Sequence, residues 1–227
     1  AGAYALQAAE AGMVGIVTTN APPVMAPWGS LTRMLGNNPI AIAAPRAEGD
    51  AFLLDFALSQ VAKGWVRLAA AARRPIPAGW AMDAQGQPTT DSAAAMDGLL
   101  VPIGMYKGTG LSIAMDILTG FLAGSPPSAD LPDQSRHDVP GNVAHFFIAL
   151  DIARFVPLEE FTSKVAALLA RVEGAARALG VDRILLPGKI EADKERVARR
   201  EGLDIALETW NELKADATRL GVEAPAR

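Results

Sequence analysis

Residues 104–124 have the sequence GMYKGTGLSIAMDILTGFLAG, and this stretch decides the fold. Its apolar run after two glycines predicts a helix from about Leu111 to Leu122. Lys107 stands just before Gly108 and Gly110, so it would place a cation beside free backbone N–H groups and the positive end of a helix dipole. That combination binds phosphate or carboxylate. The alternative is a glycine turn with a solvated lysine, and this stretch alone does not choose between them.

The same glycines do not predict a Rossmann fold. Gly108 and Gly110 match the first two glycines of G-x-G-x-x-G, but Ile113 stands at the third. The preceding segment, 98–104, does not resemble the first strand of a βαβ unit either. The apolar stretch 108–124 carries Asp116 in its middle and is shorter than the ~20 residues of a membrane span. It therefore favours a buried core helix and no membrane association.

Strand-like and helix-like segments alternate on both sides of this stretch. Short apolar runs predict strands at 14–20, 39–45, 52–57, 98–104, 144–152 and 183–188. Apolar residues at helical spacing predict further helices at 4–12, 60–74, 158–179, 192–201 and 207–220. Prolines and glycines predict loops at 21–38, 75–91 and 125–142, the last a mobile excursion. The alternation predicts an α/β fold, one mixed β-sheet flanked by helices, in a single domain over 1–227.

Composition excludes several classes of function. The net charge of −4 gives no basic field for a nucleic-acid partner. The absence of cysteine excludes disulfides, thiolate catalysis and cysteine-bound zinc, and it suits a cytoplasmic protein. We predict no metal site. The first residues, AGAYALQAAEAG, have no initiator Met and no signal-peptide pattern, and they resemble a helix already under way. We therefore expect that an upstream part is missing.

Other polar residues suggest chemistry less directly. Asp55 ends an apolar strand just before a predicted helix, where it could bind a ribose hydroxyl or cap the helix. LLPGKIE (185–191) is a second strand–glycine–helix turn that suits an anion or is simply a turn. His137 lies in the proline-rich excursion and His145 begins an aromatic strand, where packing is the simpler role. No serine is placed for a Ser–His–Asp triad.

Seven motifs together resemble one family over almost the whole chain. In order they are GNNPIAIAAP (36–45), DFALSQVAKG (55–64), IPAGWAMDAQGQPTTD (76–91), GMYKGTGLSIAMDILTGFLAG (104–124), HFFIALDIARF (145–155), LLPGKIE (185–191) and GLDIALETWNELKADATRLGV (202–222). This set resembles the malate/L-lactate dehydrogenase-like oxidoreductases, which include ureidoglycolate dehydrogenase, diketogulonate reductase, sulfolactate dehydrogenase and piperideine-2-carboxylate reductase.

The resemblance implies a non-Rossmann NAD(P)-binding fold of the L-sulfolactate dehydrogenase-like type. It also implies a homodimer that transfers hydride between the nicotinamide of NAD or NADP and a small anionic 2-keto, 2-hydroxy or cyclic 2-imino acid. Carried over by motif, the cofactor-binding residues are Asn20, Asn38, Asp55, Phe56, Ala57, Ser59, Lys107, Gly108, Pro187, Gly188 and Lys189. The anion sites inferred from the residues alone, at Lys107–Gly110 and Pro187–Gly188, agree with this assignment.

The sequence departs from the family at several positions. Phe56 and Leu58 replace the usual Met and Thr, which puts side-chain contacts of that segment in doubt. Lys189 stands where an acid is usual, which would favour an extra phosphate. The family's catalytic histidine segment, which would precede Ala1, is absent from the chain. We therefore expect the chain alone to lose roughly 10²–10⁴-fold in rate for want of the proton donor.

Within the chain, Asp83 is the carboxylate that could orient the missing acid, and a loop-capping role is its alternative. Three hypotheses follow. The chain belongs to a 2-oxo acid dehydrogenase or reductase, it is a cofactor-binding remnant or scaffold without catalysis, or its missing helices come from a separate chain.

Overall fold

A computed structural model of the chain describes residues 1–133, 136 and 138–224. They form two compact units, one of residues Ala1–Gly188 and one that begins at Lys189. The first unit contains the β-sheets and the second consists of helices. Strands and helices alternate along the first unit as expected, so the α/β class is confirmed. The single domain over 1–227 stays a prediction.

The elements are numbered along the chain. The strands are β1 Met13–Thr19, β2 Pro23–Met25, β3 Leu35–Gly36, β4 Ile40–Ala44, β5 Phe52–Phe56, β6 Ala81–Met82, β7 Pro88–Thr89, β8 Leu99–Leu100 and β9 His145–Asp151. The α-helices are α1 Gly2–Glu10, α2 Lys63–Ala71, α3 Ser92–Asp97, α4 Tyr106–Asp116, α5 Leu158–Glu173, α6 Lys189–Glu201 and α7 Leu207–Leu220.

The strands form two sheets, so the expected single mixed sheet is wrong. The first sheet has the order β5-β4-β1-β9, and its neighbours are all antiparallel. The second has the order β3-β2-β8-β6-β7 and is the mixed one, because β2 and β8 pair in parallel. Its strands have only two or three residues. All but β8, which falls in the predicted strand 98–104, lie in the loops 21–38 and 75–91, which carry no alternating pattern from which a strand could be predicted.

Helix α1 packs closely on the first sheet through small residues. The buried residues of this contact include Ala5 and Ala9 on the helix and Ala41 and Ala43 on β4. A Cβ on Gly15 in β1 would lie 2.5 Å from the backbone oxygen of Ala5. The helix can therefore approach the strand only because position 15 has no side chain.

A second core lies around α2. Val66 is the residue of α2 that is buried, whereas Trp65 and Leu68, which share its apolar character, are exposed by 63% and 58%. The helix begins at Lys63, so Val61 precedes it. The structure therefore places α2 within the predicted range 60–74 and leaves part of its apolar surface exposed.

Other boundaries differ from the expectation for local reasons. Helix α4 begins five residues before Leu111 and continues into a π-helical segment, Ile117–Phe121. Gly108 lies inside the first turns of α4. A glycine is required there, because a Cβ would collide with the backbone of Ile103. Residues 183–188 form no strand. None of the helices in the described residues combines the length and apolar character that a membrane span requires.

The predicted excursion over 125–142 is anchored in its first half. Ser128 and Leu131 are buried, and a short 3-10 turn covers Ser128–Asp130. His137 lies outside the described residues. The mobility of the rest of the segment stays a prediction.

Substituting Gly15 tests the contact between α1 and the sheet. Gly15→Ala should destabilise the protein by about 1–3 kcal/mol, because the new methyl group meets backbone that cannot rotate away. Gly64→Ala in α2 is the matched control. A Cβ there has nothing within 4 Å, so the change should be neutral or stabilising by up to about 1 kcal/mol. Urea unfolding measures both, and equal effects would contradict the close packing of α1.

Candidate functional site

Four strand ends of the first sheet meet at one edge. In the register of this sheet Thr19 pairs with His145, Thr18 with Ile40 and Ile40 with Phe56. Strands β1 and β5 end at this edge, and the antiparallel β4 and β9 begin there. The predicted site residues that follow or precede these strand ends are Asn20, Asn38, Phe56, Ala57 and Ser59. The topology therefore brings these five residues, which lie up to 39 positions apart, to one side of the sheet.

The side chains of Asn20 and Asn38 are used inside the protein. Asn20 is 1% exposed; its Nδ2 donates to the Pro126 carbonyl at 3.1 Å and its Oδ1 accepts from the Ala144 N–H at 2.8 Å. Asn38 is fully buried, and both ends of its amide are hydrogen-bonded. Neither side chain offers a free polar atom to a ligand. A role for either residue in cofactor binding would have to come from its backbone.

Asp55 caps a helix, but a different one from that suggested by the sequence. Its Oδ2 accepts a 2.7 Å hydrogen bond from the Gly2 N–H, at the first turn of α1. A carboxylate at a helix N-terminus satisfies a free N–H group and complements the dipole. A role for Asp55 in binding a ribose hydroxyl stays a prediction, and the carboxylate would have to make that contact in addition to its bond with Gly2.

The segment that follows Asp55 buries two of its side chains, Leu58 and Ser59. Leu58 is fully buried in the core around α2. Ser59 is 4% exposed, and its hydroxyl donates to the Val61 carbonyl at 2.7 Å. Phe56 and Ala57 are half-buried. These two residues are what the segment presents near the surface.

The Lys107 turn is attached directly to this segment. The Ile103 N–H donates to the Leu58 carbonyl at 2.9 Å, and Ser59 forms a bridge with Pro102. Lys107 is exposed, and no carboxylate of the described residues forms a salt bridge with it. Gly110, three residues on, is exposed, and a Cβ there would meet nothing within 4 Å. The turn therefore offers a free cation and an approachable stretch of backbone at the start of α4.

Two overlapping turns shape the approach to α4. The Met105 N–H bonds to the Pro102 carbonyl at 3.1 Å, and the Lys107 N–H bonds to the Gly104 carbonyl at 3.2 Å. Met105 occupies the second position of the latter turn with φ +59° and ψ −115°. These are the angles of a type II′ turn, a conformation that glycine normally supplies. Met105 is therefore a strained residue beside the candidate site.

The second glycine turn lies against β5, the strand that leads into segment 57–59. Gly188 has φ +81°, and a Cβ there would be 2.9 Å from Leu53 in β5. The Lys107 turn reaches the same stretch of chain at Leu58, five residues after Leu53, through the hydrogen bond of Ile103. Lys189 begins the second unit, where its ammonium lies 3.2 Å from Asp193. The pKa of Asp193 is lowered, first by a hydrogen bond from Arg196 and then by Lys189.

Asp83 and His145 occupy the places that their simpler roles predict. Asp83 Oδ1 accepts from the N–H groups of Gln85 and Gln87, both at 2.9 Å, and so caps the loop between β6 and β7. The His145 ring lies 6.1 Å from that of Phe147. A helper role for Asp83 in catalysis stays a prediction.

Sequence reasoning missed a buried polar cluster behind the Lys107 turn. Asp116, Ser112 and Ser128 are buried and hydrogen-bonded to Asn38 or to one another. The one signal for it was the lone carboxylate in the apolar stretch 108–124. Its partners lie too far away in sequence to be paired from the pattern.

Replacing Met105 tests whether the turn is strained. The positive φ costs about 1–3 kcal/mol in a residue with a Cβ, and glycine costs only about 0.5–1 kcal/mol through the unfolded chain. Met105→Gly should therefore be about 1 kcal/mol more stable than Met105→Ala, which shortens the side chain but keeps the Cβ. Urea unfolding measures the difference. Identical midpoints would show that the turn stores no strain.

The comparisons with known proteins agree with this architecture. The family model for malate/L-lactate dehydrogenase matches residues 1–214. The chain is 38% identical over 231 residues to a malate dehydrogenase of Pyrococcus horikoshii, covering 98% of this chain and 63% of the relative. It is 34% identical over 209 residues to a Δ1-pyrroline-2-carboxylate/Δ1-piperideine-2-carboxylate reductase of Pseudomonas aeruginosa, covering 91% of this chain and 60% of the relative.

A solved structure extends the likeness to three dimensions. The sulfolactate dehydrogenase of Methanocaldococcus jannaschii matches with a TM-score of 0.88 and 35% identity, over 99% of this chain and 64% of that one. The α/β fold of the sulfolactate dehydrogenase type is thereby confirmed. The chain spans less than two thirds of the length of these relatives. On the match over 1–214 and these identities, the chain belongs to the malate/L-lactate dehydrogenase family.

Proposed function

We propose that the protein is an oxidoreductase that transfers hydride between NAD(P)H and a small 2-keto or 2-hydroxy acid, or a cyclic 2-imino acid. The family match supports this, since the relatives are named malate dehydrogenase, L-sulfolactate dehydrogenase and pyrroline-2-carboxylate/piperideine-2-carboxylate reductase. The proposal concerns the whole protein, because the chain spans only 63% of the first relative.

One structural observation carries the proposal: the free Lys107 ammonium at the start of α4. A dinucleotide brings a pyrophosphate, and phosphate oxygens bind to a lysine and to the N–H groups of a helix start. The first turn of α4 has no acidic residue to repel a phosphate. Its Lys107 and Thr109 N–H groups already bond to the Gly104 and Met105 carbonyls, so the ammonium is the donor that carries the proposal. Together with the space at Gly110, where a side chain is absent, the ammonium fits an NAD(P) phosphate bridge.

The other proposed contacts surround this turn. Gly108 brings the first turn of α4 against Ile103, next to the backbone of segment 57–59. Phe56 and Ala57 would border the cofactor, and Asp55 would bind it beside its cap on α1. Pro187, Gly188 and Lys189 would hold its other end. The positive charge of Lys189 would favour NADP over NAD, and Asp193, which forms an ion pair with Lys189, would reduce this preference.

The chemistry divides between cofactor and protein. Bound NAD(P)H supplies the hydride that C2 of the substrate accepts, while the substrate oxygen or nitrogen gains a proton. The protein must bind the substrate carboxylate, exclude water and place an acid against that oxygen or nitrogen. Asp83 is our candidate for orienting this acid. Its Oδ2 accepts no hydrogen bond from the described residues and is available for that purpose.

The Lys107→Gln variant tests the proposal. We expect it to weaken NADH and NADPH binding by about tenfold, because a charge-assisted contact to phosphate is lost while a polar side chain only one bond shorter is kept. Binding is measured by NAD(P)H fluorescence. Turnover is measured on the natural full-length protein at 340 nm, with oxaloacetate, pyruvate, sulfopyruvate and piperideine-2-carboxylate.

Lys164→Gln is the control, because this exposed lysine of α5 pairs with Glu160 on the same helix. It should leave binding unchanged. Absence of NAD(P)H binding by the wild-type protein would reject the proposal. Binding without turnover of any of these acids would favour the inactive, cofactor-binding alternative.

We also propose that the protein is a cytoplasmic homodimer. Support comes from the family resemblance and from large apolar side chains on the surface of the first unit, among them Trp65, Phe147 and Phe155. Light scattering on the purified protein should give twice the single-chain mass, which is 23.7 kDa for the residues given. A single-chain mass at all micromolar concentrations would contradict the dimer.

A further inference from the structure

A buried polar cluster lies directly behind the candidate site. It consists of Asn38, Ser112, Asp116 and Ser128, and we call it the Asn38 cluster. Three of these residues are 0% exposed and Asp116 is 6% exposed. They come from three separate segments: the turn before β4, helix α4 and the 3-10 turn Ser128–Asp130. Since these segments are far apart in sequence, the hydrogen bonds between them fix tertiary structure.

The Asn38 amide is the centre of the cluster. Its Oδ1 accepts from the Ala21 N–H at 2.9 Å. Its Nδ2 donates to the Ser112 carbonyl and to Asp116 Oδ1, both at 3.0 Å. Exchanging the oxygen and nitrogen would set the oxygen against the Ser112 carbonyl, with no proton between them. The amide therefore has one possible orientation, and neither Asp nor Leu can replace it.

Asp116 is a buried carboxylate held by neutral donors. It accepts from Asn38 Nδ2 at 3.0 Å, from the Ser128 hydroxyl at 2.6 Å and from the Ser128 N–H at 3.3 Å. Among the described residues no Lys, Arg or His forms a salt bridge with it. Burying a charge without a cation is costly, and apolar packing would stabilise the same space more simply. The cluster is therefore better explained by the geometry that it imposes than by stability.

That geometry concerns the segments of the proposed cofactor site. Asn38 holds Ala21, which follows Asn20. The adjacent Asn37 carbonyl accepts from the Leu58 N–H at 2.8 Å. Ser112 lies five residues after Lys107, about 7.5 Å farther along α4, and its hydroxyl donates to the Gly36 carbonyl at 2.8 Å. The loop after β1, segment 57–59 and the start of α4 are all connected through this cluster.

We propose that Asn38 and Asp116 are positioning residues for dinucleotide binding. They touch no ligand, and they set the place of the Lys107 turn relative to the edge of the first sheet. The inference rests on the proposed function, because it names the internal contacts of that same site. It assigns Asn38 to an internal role in place of a direct cofactor contact.

The test uses isosteric variants of the full protein. Asp116→Asn replaces one acceptor oxygen with an NH2 group, which then faces the N–H of Ser128 or the amide of Asn38. Ser128→Ala removes one donor, a milder change. For each variant we measure the Kd of NADH and NADPH, the urea midpoint, and hydrogen exchange of the peptide covering 104–110. We expect Asp116→Asn to raise the Kd about tenfold or more, since displacements of about 1 Å at a site have effects of this size. Exchange at 104–110 should quicken in parallel, and Ser128→Ala should show both effects more weakly.

Thr119→Val is the matched control. Thr119 is 0% exposed and follows α4, but its hydroxyl donates within the same helical run, to the Met115 carbonyl at 2.6 Å. This variant should lose stability without raising the Kd or the exchange at 104–110. If the Kd follows the urea midpoint equally in all three variants, the cluster is merely structural and the proposal is wrong. If the wild-type protein binds no dinucleotide, the proposed function fails, and unchanged exchange in Asp116→Asn would then reject the positioning role separately.

Discussion

The Asn38 side chain makes the contacts on which the arrangement of this edge depends. Where the strands of the first sheet end, buried backbone groups lose their strand neighbours and need other partners. Asn38 supplies them to Ala21 and Ser112, and Asn20 supplies them to Pro126 and Ala144. An amide suits this role because it donates and accepts at once. The loops that leave the sheet are thereby fixed without adding a strand.

A site built in this way uses most of its polar side chains for structure. Asp55 caps α1, Ser59 bonds to Val61, and Asn20 and Asn38 are fully occupied. What faces outward is Lys107, the open backbone at Gly110 and the half-buried Phe56 and Ala57. Such a surface suits a ligand that is recognised by its charge and by backbone contacts, as a phosphate bridge is.

The sequence predicted what depends on local pattern. Strands β1, β4, β5 and β9 were correctly placed, because each has at least five residues with a continuous apolar or β-branched character. The strands of two or three residues in the loops 21–38 and 75–91 were missed, since only their partners define them. Asn38 was placed at the site, but its role could not be predicted, because its partner Asp116 lies 78 positions away.

The contrast between side chains used inside the protein and groups that face outward explains the departures from the family pattern at positions 56 and 58. The Leu58 side chain is fully buried in the core around α2, so a change from the usual Thr alters packing there and not a ligand contact. Its backbone still accepts from Ile103 and donates to Asn37, and these bonds do not depend on the side chain. Phe56 is half-buried beside the same edge and can border a ligand directly. Of the two departures, Phe56 is therefore the one that can alter which ligand the site binds.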